Sequence, residues 1–171
     1  MNILVFSDSH GRYENISEVM RKQIKKPDAV IFLGDGLRDL DYCELDGVTL
    51  FKVRGNCDYF ALMGGTDVTD DLIVTLGDKK IMMTHGHNYA VKSTLIPLLT
   101  VAAKNSVDIV LFGHTHEGFE MTLTPENDPY DLALTKPLYV MNPGSVGSYS
   151  ATWGSISIDS SGRVLMSHGR F

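Results

Sequence analysis

The sequence predicts an α/β fold in which two β-sheets pack as a sandwich flanked by helices, within one domain that spans residues 1–171. Three observations predict it. Short apolar runs recur along the chain, and most of them end in a polar cluster. Two segments between these runs carry apolar residues at helical spacing. The last third has strand patterns only, which indicates one sheet rich in parallel strands and a second, more antiparallel sheet.

The length and composition fit one globular domain. The chain has 171 residues, of which 43% are hydrophobic and 21% charged, and this is ordinary usage for a packed domain. Its apolar runs fall short of the roughly 18 residues that a membrane-spanning helix needs. The start of the chain lacks the basic residues of a signal peptide. We therefore expect a cytoplasmic protein that does not associate with membranes.

The net charge argues against one class of partner, and the cysteine content argues against a disulfide-bonded protein. The 21 acidic and 15 basic residues give a net charge of −6, which supplies no general attraction to nucleic-acid phosphates. Extended nucleic acid is therefore not an expected partner. The two cysteines, Cys43 and Cys57, cannot build a disulfide framework, and we expect them to be reduced.

The first third of the chain alternates strands with one helix. Strands are predicted at residues 2–7, 29–33 and 48–53. An amphipathic helix between the first two is predicted by the spacing of Ile16, Val19, Met20 and Ile24. Pro27 cannot continue that helix. The basic residues of segment 21–26 complement the helix dipole, so they indicate a solvated helix end rather than a binding patch.

The remaining elements follow in order. Strands at 72–76 and 80–84 flank a turn at Gly77-Asp78-Lys79 and predict a hairpin. A second helix, with Pro97 in its first turn, is predicted by the spacing of Leu95, Leu98, Leu99, Ala102 and Ala103. Further strands are predicted at residues 107–112, 118–123, 136–141, 151–158 and 164–168, with an irregular excursion at 124–135.

Polar side chains that suit metal ions follow five of the predicted strands. They are Asp8 and His10, Asp35, Asn56, His85, and His114 with His116. Ligands bind outside the carboxyl ends of strands in sheets of this kind, so these residues can converge. Histidine and carboxylate suit Mn, Fe and Zn, and one carboxylate can bridge two ions. Seven groups are too many for one ion and fit two ions about 3.5–4 Å apart, an arrangement that serves phosphoryl transfer.

Each motif alone also has an ordinary structural explanation. Asp8 can accept hydrogen bonds within a turn, and Gly-Asp and Gly-Asn pairs are common in turns. The two histidines His114 and His116 are harder to explain in this way, because a histidine beside a buried strand is costly unless it is paired or ligated. The complete ordered set favours a dinuclear metal site over a coincidence of turns.

The ordered motifs support a family resemblance. They are Asp8-Ser9-His10, Gly34-Asp35, Gly55-Asn56-Cys57-Asp58, His85-Gly86-His87 and Gly113-His114-Thr115-His116, with Asn142-Pro143-Gly144-Ser145 in support. The chain resembles the calcineurin-like metallophosphoesterases, and more closely their small YfcE-like phosphodiesterase branch. The resemblance implies one metal ion held by Asp8, His10, Asp35 and His116, and another held by Asp35, Asn56, His85 and His114. The expected cofactors are two divalent ions, manganese before iron, nickel, zinc or magnesium.

The function implied by the resemblance is hydrolysis of a small phosphodiester by a metal-activated hydroxide, with weak activity on monoesters. Cys57 stands where many larger members have a histidine that protonates the leaving group. A thiol with a pKa of about 8.5 is a poorer acid at neutral pH than an imidazole, so good leaving groups should be favoured. The Asn56 amide is a candidate phosphoryl contact. Cys57 either donates a proton or packs, and Asp58 is either a catalytic group or a loop-positioning residue. Arg12 is either a phosphate clamp or a solvated side chain.

Two alternatives of different class remain. One is a protein-interaction scaffold of the same fold with a vestigial metal site, as in a retromer subunit, and the intact ligand set argues against it. The other is a phosphomonoesterase or protein phosphatase, against which Cys57 argues. A homodimer through Tyr59, Phe60 and Tyr149 is plausible, and segment 59–71 is a candidate small lid or subunit contact. His87 and His168 are not predicted to be ligands.

Overall fold

Two five-stranded sheets form the body of the protein. The computed structural model describes residues 1–59 and 68–171, and that part holds ten strands and two α-helices. In chain order they are β1 (Asn2–Phe6), α1 (Tyr13–Arg21), β2 (Ala29–Phe32), β3 (Thr49–Lys52), β4 (Asp71–Leu76), β5 (Lys79–Thr84), α2 (Ile96–Lys104), β6 (Ile109–Leu111), β7 (Gly118–Leu123), β8 (Leu138–Pro143), β9 (Thr152–Ile158) and β10 (Val164–Arg170). Short 3₁₀ helices cover Leu37–Tyr42 and His87–Tyr89.

The distribution of parallel and antiparallel strands between the two sheets differs from the sequence prediction. The first sheet runs β10-β9-β1-β2-β3, and the second runs β4-β5-β6-β8-β7. Each sheet contains two parallel and two antiparallel neighbour pairs. The prediction of one parallel-rich and one antiparallel sheet is therefore wrong. The reason is that the all-strand last third of the chain is shared, because β7 and β8 join the second sheet while β9 and β10 join the first.

The core has three apolar layers that follow the alternation of side chains along the strands. Residues between the sheets include Ile3, Val5, Ile31, Ile81, Met83 and Leu111. The opposite face of the first sheet packs against α1, through residues that include Leu4, Phe6, Ile16 and Val19. The opposite face of the second sheet packs against α2, through residues that include Val110, Leu98, Leu99 and Ala102. The predicted sandwich flanked by helices is confirmed.

The first helix ends earlier than its apolar spacing predicts. It stops at Arg21, where the backbone N–H of Lys22 donates to the carbonyl oxygen of Glu18. Ile16 and Val19 are buried, but Ile24 lies beyond the helix end and is fully exposed. The assignment of Ile24 to the core face is therefore wrong, since a helix that ends before residue 24 cannot direct this side chain onto the sheet.

Other predicted elements are found at or within two residues of their expected positions. The β4–β5 hairpin pairs Leu76 with Lys79, and Pro97 lies in the first turn of α2. Neither of the α-helices in the described residues is long and apolar enough to cross a bilayer. Tyr59 and Tyr149 are strongly exposed, as a dimer contact requires. Phe60 and most of the predicted lid at 59–71 fall in residues 60–67, outside the described part of the chain.

Candidate metal centre

The loops that follow five strands meet at one end of the sandwich. The first sheet supplies Asp8 and His10 after β1, Asp35 after β2 and Asn56 after β3. The second sheet supplies His85 after β5, and His114 and His116 after β6. The structure thus brings all seven predicted ligands together from both sheets. The carboxyl ends of β1, β2 and β3 lie side by side because these strands are parallel, as do those of β5 and β6.

One half of the cluster is built around His85, which is fully buried. Its Nε2 atom lies 3.2 Å from Asn56 Oδ1 and 3.4 Å from Asp35 Oδ2. His114 Nδ1 lies 3.2 Å from the same nitrogen. On its other side, His85 Nδ1 lies 2.8 Å from the carbonyl oxygen of Leu33, and this contact orients the ring. The four side chains match the set predicted for one ion.

The other half of the cluster is more exposed. His116 Nε2 lies 3.1 Å from Asp8 Oδ1 and 3.3 Å from His10 Nε2. His10 Nε2 is 3.8 Å from the same Asp8 oxygen. The two halves adjoin, because His85 Nε2 of the first half lies 3.9 Å from Asp8 Oδ1 of the second. Candidate donor atoms of Asp35 and His10 also lie within 4.8 Å of each other, which places Asp35 between the halves.

The Asp8 carboxylate supplies direct support for a bound cation. Its side chain is fully buried, and Oδ2 accepts hydrogen bonds from Ser7 Oγ at 2.5 Å and from the His114 N–H at 3.1 Å. Its other oxygen, Oδ1, has no hydrogen-bond partner among the described residues. A buried carboxylate oxygen left without a partner is costly. Because Oδ1 faces three imidazole nitrogens, a metal ion shared by these groups fits the site.

Five of the seven predicted ligands have a left-handed backbone. Asp8, His10, Asp35, His114 and His116 have φ values of 56°, 46°, 59°, 69° and 63°. Few residues other than glycine adopt this conformation, although aspartate and histidine tolerate it better than most. Such strained residues concentrate at functional sites, where the surrounding structure holds them. The sharp turn after each strand is what directs these side chains toward a common point.

Close backbone approach brings the second and third loops together. Gly34 has a φ of 94°, and a Cβ atom at this position would clash with the Gly55 backbone. A Cβ atom on Gly55 would in turn clash with the Asp35 carboxylate. The glycines that precede Asp35 and Asn56 in their motifs are therefore required by contact between the loops.

Asp58 lies beneath the same two loops and is buried. Its Oδ2 accepts from the N–H groups of Asp35 at 2.7 Å and Gly55 at 2.9 Å. Its Oδ1 accepts from the N–H groups of Gly36 at 2.9 Å and Leu37 at 3.0 Å. Both oxygens are thus engaged by backbone donors. This placement fits the loop-positioning alternative for Asp58, and a direct catalytic role for it stays a prediction.

The supporting motif at residues 142–145 joins the first and last loops. Ser145 Oγ donates to the Asp8 carbonyl oxygen at 2.8 Å. Asn142 Nδ2 donates to the Gly113 carbonyl oxygen at 2.9 Å and to Thr115 Oγ1 at 3.0 Å. His168 contacts the Asn142 carbonyl oxygen through Nε2, at 2.8 Å, which gives this histidine a structural place outside the cluster.

The Asp35–His85 pair is electrostatically coupled. Burial acts to raise the pKa of Asp35, but hydrogen bonds from His85 and from the Cys57 N–H outweigh it and hold this pKa far below its usual range. Burial acts to lower the pKa of His85, but the hydrogen bond to Asp35 and the charges of Asp8 and Asp35 raise it overall. Without metal, this coupling therefore keeps the carboxylate ionised and increases the proton affinity of the His85 imidazole.

Cys57 and Arg12 sit at the edge of the cluster. The Cys57 sulfur is exposed, accepts from Asn56 Nδ2 at 3.3 Å, and lies within 4.8 Å of donor atoms of His10 and Asp35. Burial and the neighbouring Asp35 raise the pKa of the Cys57 thiol to about 11, so the metal-free thiol keeps its proton. Arg12 is exposed at the start of α1, where its guanidinium makes no hydrogen bond or ion pair with the described residues. Its role as a clamp stays a prediction.

Asp39 supports the site without having been predicted to do so, and His87, which is not a predicted ligand, lies beside it. Asp39 Oδ2 accepts from Ser9 Oγ at 2.5 Å and from the Gly11 N–H at 2.8 Å, which fixes the loop that carries Asp8. Its place in an unpredicted 3₁₀ helix left no sequence signal. His87 has its ring centroid 5.5 Å from that of His85, and its Nδ1 is buried without a partner among the described residues. The His-Gly-His motif is the signal that pointed to this region.

Curated relatives are similar to this chain over about two thirds of its length. A probable metallophosphoesterase, YsnB of Bacillus subtilis, is 34% identical over 116 residues, which are 68% of this chain and 64% of that protein. The chain therefore spans less than two thirds of this relative. The phosphodiesterase MJ0936 of Methanocaldococcus jannaschii is 30% identical over 140 residues, covering 68% of this chain and 74% of that protein.

Solved structures share the fold at lower identity. A predicted phosphoesterase from Streptococcus pneumoniae superposes with a TM-score of 0.68 at 24% identity, covering 99% of this chain and 97% of that one. Vps29 from Entamoeba histolytica, crystallised with zinc, superposes with a TM-score of 0.67 at 17% identity, covering 99% of each chain. The model of the calcineurin-like phosphoesterase superfamily domain matches residues 1–158, a range that contains every predicted ligand. The chain therefore belongs to the calcineurin-like phosphoesterase superfamily.

Proposed function

We propose that this protein is a divalent-metal-dependent phosphodiesterase that hydrolyses small phosphodiesters. The observation that carries the proposal is the unpartnered, buried oxygen of Asp8, which faces the imidazole nitrogens of His10, His85 and His116. Such an oxygen needs a positive partner, and neutral imidazoles supply the further donors that a transition metal prefers. The name phosphodiesterase carried by the Methanocaldococcus jannaschii relative supports the reaction class.

The donor set divides naturally between two ions. Asp8, His10 and His116 would hold the first, and Asn56, His85 and His114 the second, with Asp35 shared. When bound, two divalent ions would supply Lewis acidity, which lowers the pKa of water toward neutrality and offsets charge on phosphoryl oxygens. Manganese is our first choice of ion, because mixed histidine and carboxylate sites suit it, while iron, nickel, zinc and magnesium are alternatives.

The chain's own groups would position the ester and influence which esters react. The Asn56 amide has its oxygen toward His85 and its nitrogen toward Cys57, so the nitrogen is placed to donate to a phosphoryl oxygen once substrate displaces the sulfur contact. No imidazole stands at position 57 to protonate the leaving group. We therefore expect diesters with good leaving groups to react faster than monoesters or esters of poor leaving groups.

A protein-interaction scaffold is the second candidate, and its support is the likeness of fold to Vps29. A scaffold has no need of ligand side chains, whereas all seven are present and clustered in this chain. A phosphomonoesterase is a third candidate, against which Cys57 argues. We infer that the partner is a small phosphodiester rather than an extended nucleic acid, and a homodimer through Tyr59 and Tyr149 stays a proposal.

The proposal is tested with purified protein stripped of metal and reloaded separately with Mn²⁺, Fe²⁺, Ni²⁺, Zn²⁺ or Mg²⁺. Hydrolysis of bis(p-nitrophenyl) phosphate is compared with that of p-nitrophenyl phosphate, using His116→Ala as the inactive control. We expect metal-dependent turnover of the diester that exceeds turnover of the monoester. Metal binding without turnover of either ester would favour the scaffold, and faster monoester turnover would favour a phosphomonoesterase.

A further inference from the structure

A groove of about 360 Å³ opens at the same end of the second sheet as the histidine ligands, between the segments that follow β5 and β6. Thr115 forms part of its wall and lies between the two predicted ligands His114 and His116. The wall continues through Val91 and Leu95, on the segment that leads into α2. The groove therefore borders the loop that carries these two ligands. The volume falls in the range of about 300–1,000 Å³ that is typical of small-molecule sites.

The groove has an aromatic wall. Phe119, at the start of β7, is 38% exposed, whereas Phe112 beside it is 2% exposed. Their ring centroids are 6.3 Å apart with the planes at 57°, so the buried ring supports the exposed one. Exposed aromatic rings next to phosphate-handling groups are suited to stacking of a flat base.

The groove has two charged side chains that form no ion pair or hydrogen bond with the described residues. Lys92 and Glu117 both line it and are both exposed, and neither side chain makes an ion pair or hydrogen bond with residues 1–59 or 68–171. Lys92 lies on the segment that follows β5, and it lines the groove together with Thr115, the residue between His114 and His116. A lysine suits phosphate oxygens, and a carboxylate accepts hydrogen bonds from sugar hydroxyl groups.

We infer that this groove binds the nucleoside arm of the phosphodiester, with the base against Phe119, a sugar hydroxyl donating to Glu117, and Lys92 near the phosphate. The inference rests on the proposed function and names the substrate class for the same site. An apolar chain such as a lipid tail would use Phe119 but would leave Lys92 and Glu117 without partners. The combination of a flat apolar surface with one cation and one carboxylate is what favours a nucleoside.

The kinetic test compares two diesters that share one leaving group. Thymidine 5′-(p-nitrophenyl phosphate) carries a nucleoside, and methyl p-nitrophenyl phosphate carries only a methyl group. With the manganese-loaded wild-type protein, we expect a KM about ten-fold lower for the nucleoside ester. Phe119→Ala should raise the KM of the nucleoside ester about ten-fold while changing that of the methyl ester less than two-fold. Phe119→Trp should retain the preference, because it keeps an aromatic face.

The control variant is Phe171→Ala, which removes another exposed phenylalanine, one that packs on Trp153 of the first sheet. It should leave both KM values unchanged. Equal KM values for the two esters in the wild type would overturn the inference, as would an equal effect of Phe119→Ala on both. Circular dichroism and thermal unfolding of each variant establish that the comparison is between folded proteins.

A binding measurement separates failure of this inference from failure of the proposed function. Calorimetric titration of thymidine 5′-monophosphate and of methyl phosphate into manganese-loaded protein requires no turnover. We expect the nucleotide to bind about ten-fold more tightly, and Phe119→Ala to remove the difference. Turnover without a nucleotide preference would reject the groove alone. A nucleotide preference without turnover of any diester would reject the proposed hydrolysis and retain the groove as a nucleotide site.

Discussion

The carboxylate of Asp58 accepts a hydrogen bond from the backbone N–H of Asp35, with 2.7 Å between nitrogen and oxygen. Asp35 in turn accepts at Oδ1 from the N–H of Cys57, also at 2.7 Å. The two loops therefore exchange hydrogen bonds, and each holds the aspartate of the other. This reciprocal arrangement fixes the one carboxylate that lies between the two halves of the metal centre.

Asp58→Ala should destabilise the protein strongly. The substitution leaves four backbone N–H groups without their acceptor, three of them in buried positions, and each unsatisfied group costs about 1–3 kcal/mol. Because water can reach part of the loops, we expect the free energy of unfolding to fall by about 3 kcal/mol in urea titrations of the metal-free protein. Glu126→Ala, an exposed change, serves as the control, and a loss no larger than that of the control would contradict the loop-positioning role.

Asp35→Asn should remove metal-dependent hydrolysis while leaving the fold intact. An amide keeps the shape of the side chain but cannot supply two anionic oxygens to a pair of cations. Loss of a group that merely supports a ligand costs about 10–100-fold, so loss of the shared ligand should cost at least about 100-fold. Turnover and manganese content by elemental analysis are measured together, with the exposed Asp41→Asn as control. Wild-type turnover in Asp35→Asn would refute its place in the centre.

Manganese affinity should fall as the pH drops below about 6.5, because imidazole ligands must be neutral to bind metal. The raised pKa of His85 in the metal-free protein extends this competition to higher pH. The sign for stability is opposite, since protonated His85 stabilises the metal-free fold below about pH 6.5 and this contribution is lost as the pH rises through the folded pKa. Calorimetry across this range measures both affinity and proton release.

Full manganese occupancy at about pH 4.5 would contradict the histidine assignment, because every unperturbed imidazole is protonated there. A metal-free protein whose stability rises steadily from about pH 6 to about pH 8 would contradict the coupling of His85 to Asp35 and Asp8.

Cys57→His should raise the rate for esters of poor leaving groups more than for esters of good ones. An imidazole titrates near neutral pH and can donate a proton, whereas the pKa of the native thiol is raised to about 11 without metal. General acid catalysis contributes about 10²–10⁴-fold where it operates, so a gain of about ten-fold for alkyl esters is a modest expectation. Rates are compared for alkyl and nitrophenyl diesters.

Cys57→Ala is the matched control for that comparison, because it removes the sulfur without adding an acid. If the histidine variant accelerates both classes of ester equally, leaving-group protonation is not the step that limits the native protein. If Cys57→Ala hydrolyses the nitrophenyl ester more slowly than the native protein and Cys57→His does not, the thiol has a role that packing does not explain.

The sequence predicted which side chains lie close together better than it predicted the details of the sheets. Each ligand lies shortly after a strand, so strand prediction alone places Asp8 and Asp35 at the same edge of a parallel sheet. The partition of β7 to β10 between the two sheets depends on long-range pairing that no local pattern specifies. The hydrogen bond between Asp39 and the Asp8 loop could not be predicted from the sequence either. It joins residues 30 positions apart, and Asp39 lies in a 3₁₀ helix that the sequence pattern did not predict.

Ligands drawn from both sheets give bound cations a mechanical consequence. The two sheets pack on each other through an apolar interface, and the loops with the predicted ligands lie at one end of that interface. Ions coordinated by residues from both sheets would cross-link the sheets, because separating them would require several coordinate bonds to break at once. Amide hydrogen exchange in β1 and β6 should then slow in concert on metal loading, although these strands belong to different sheets and carry no ligand within their hydrogen-bonded residues.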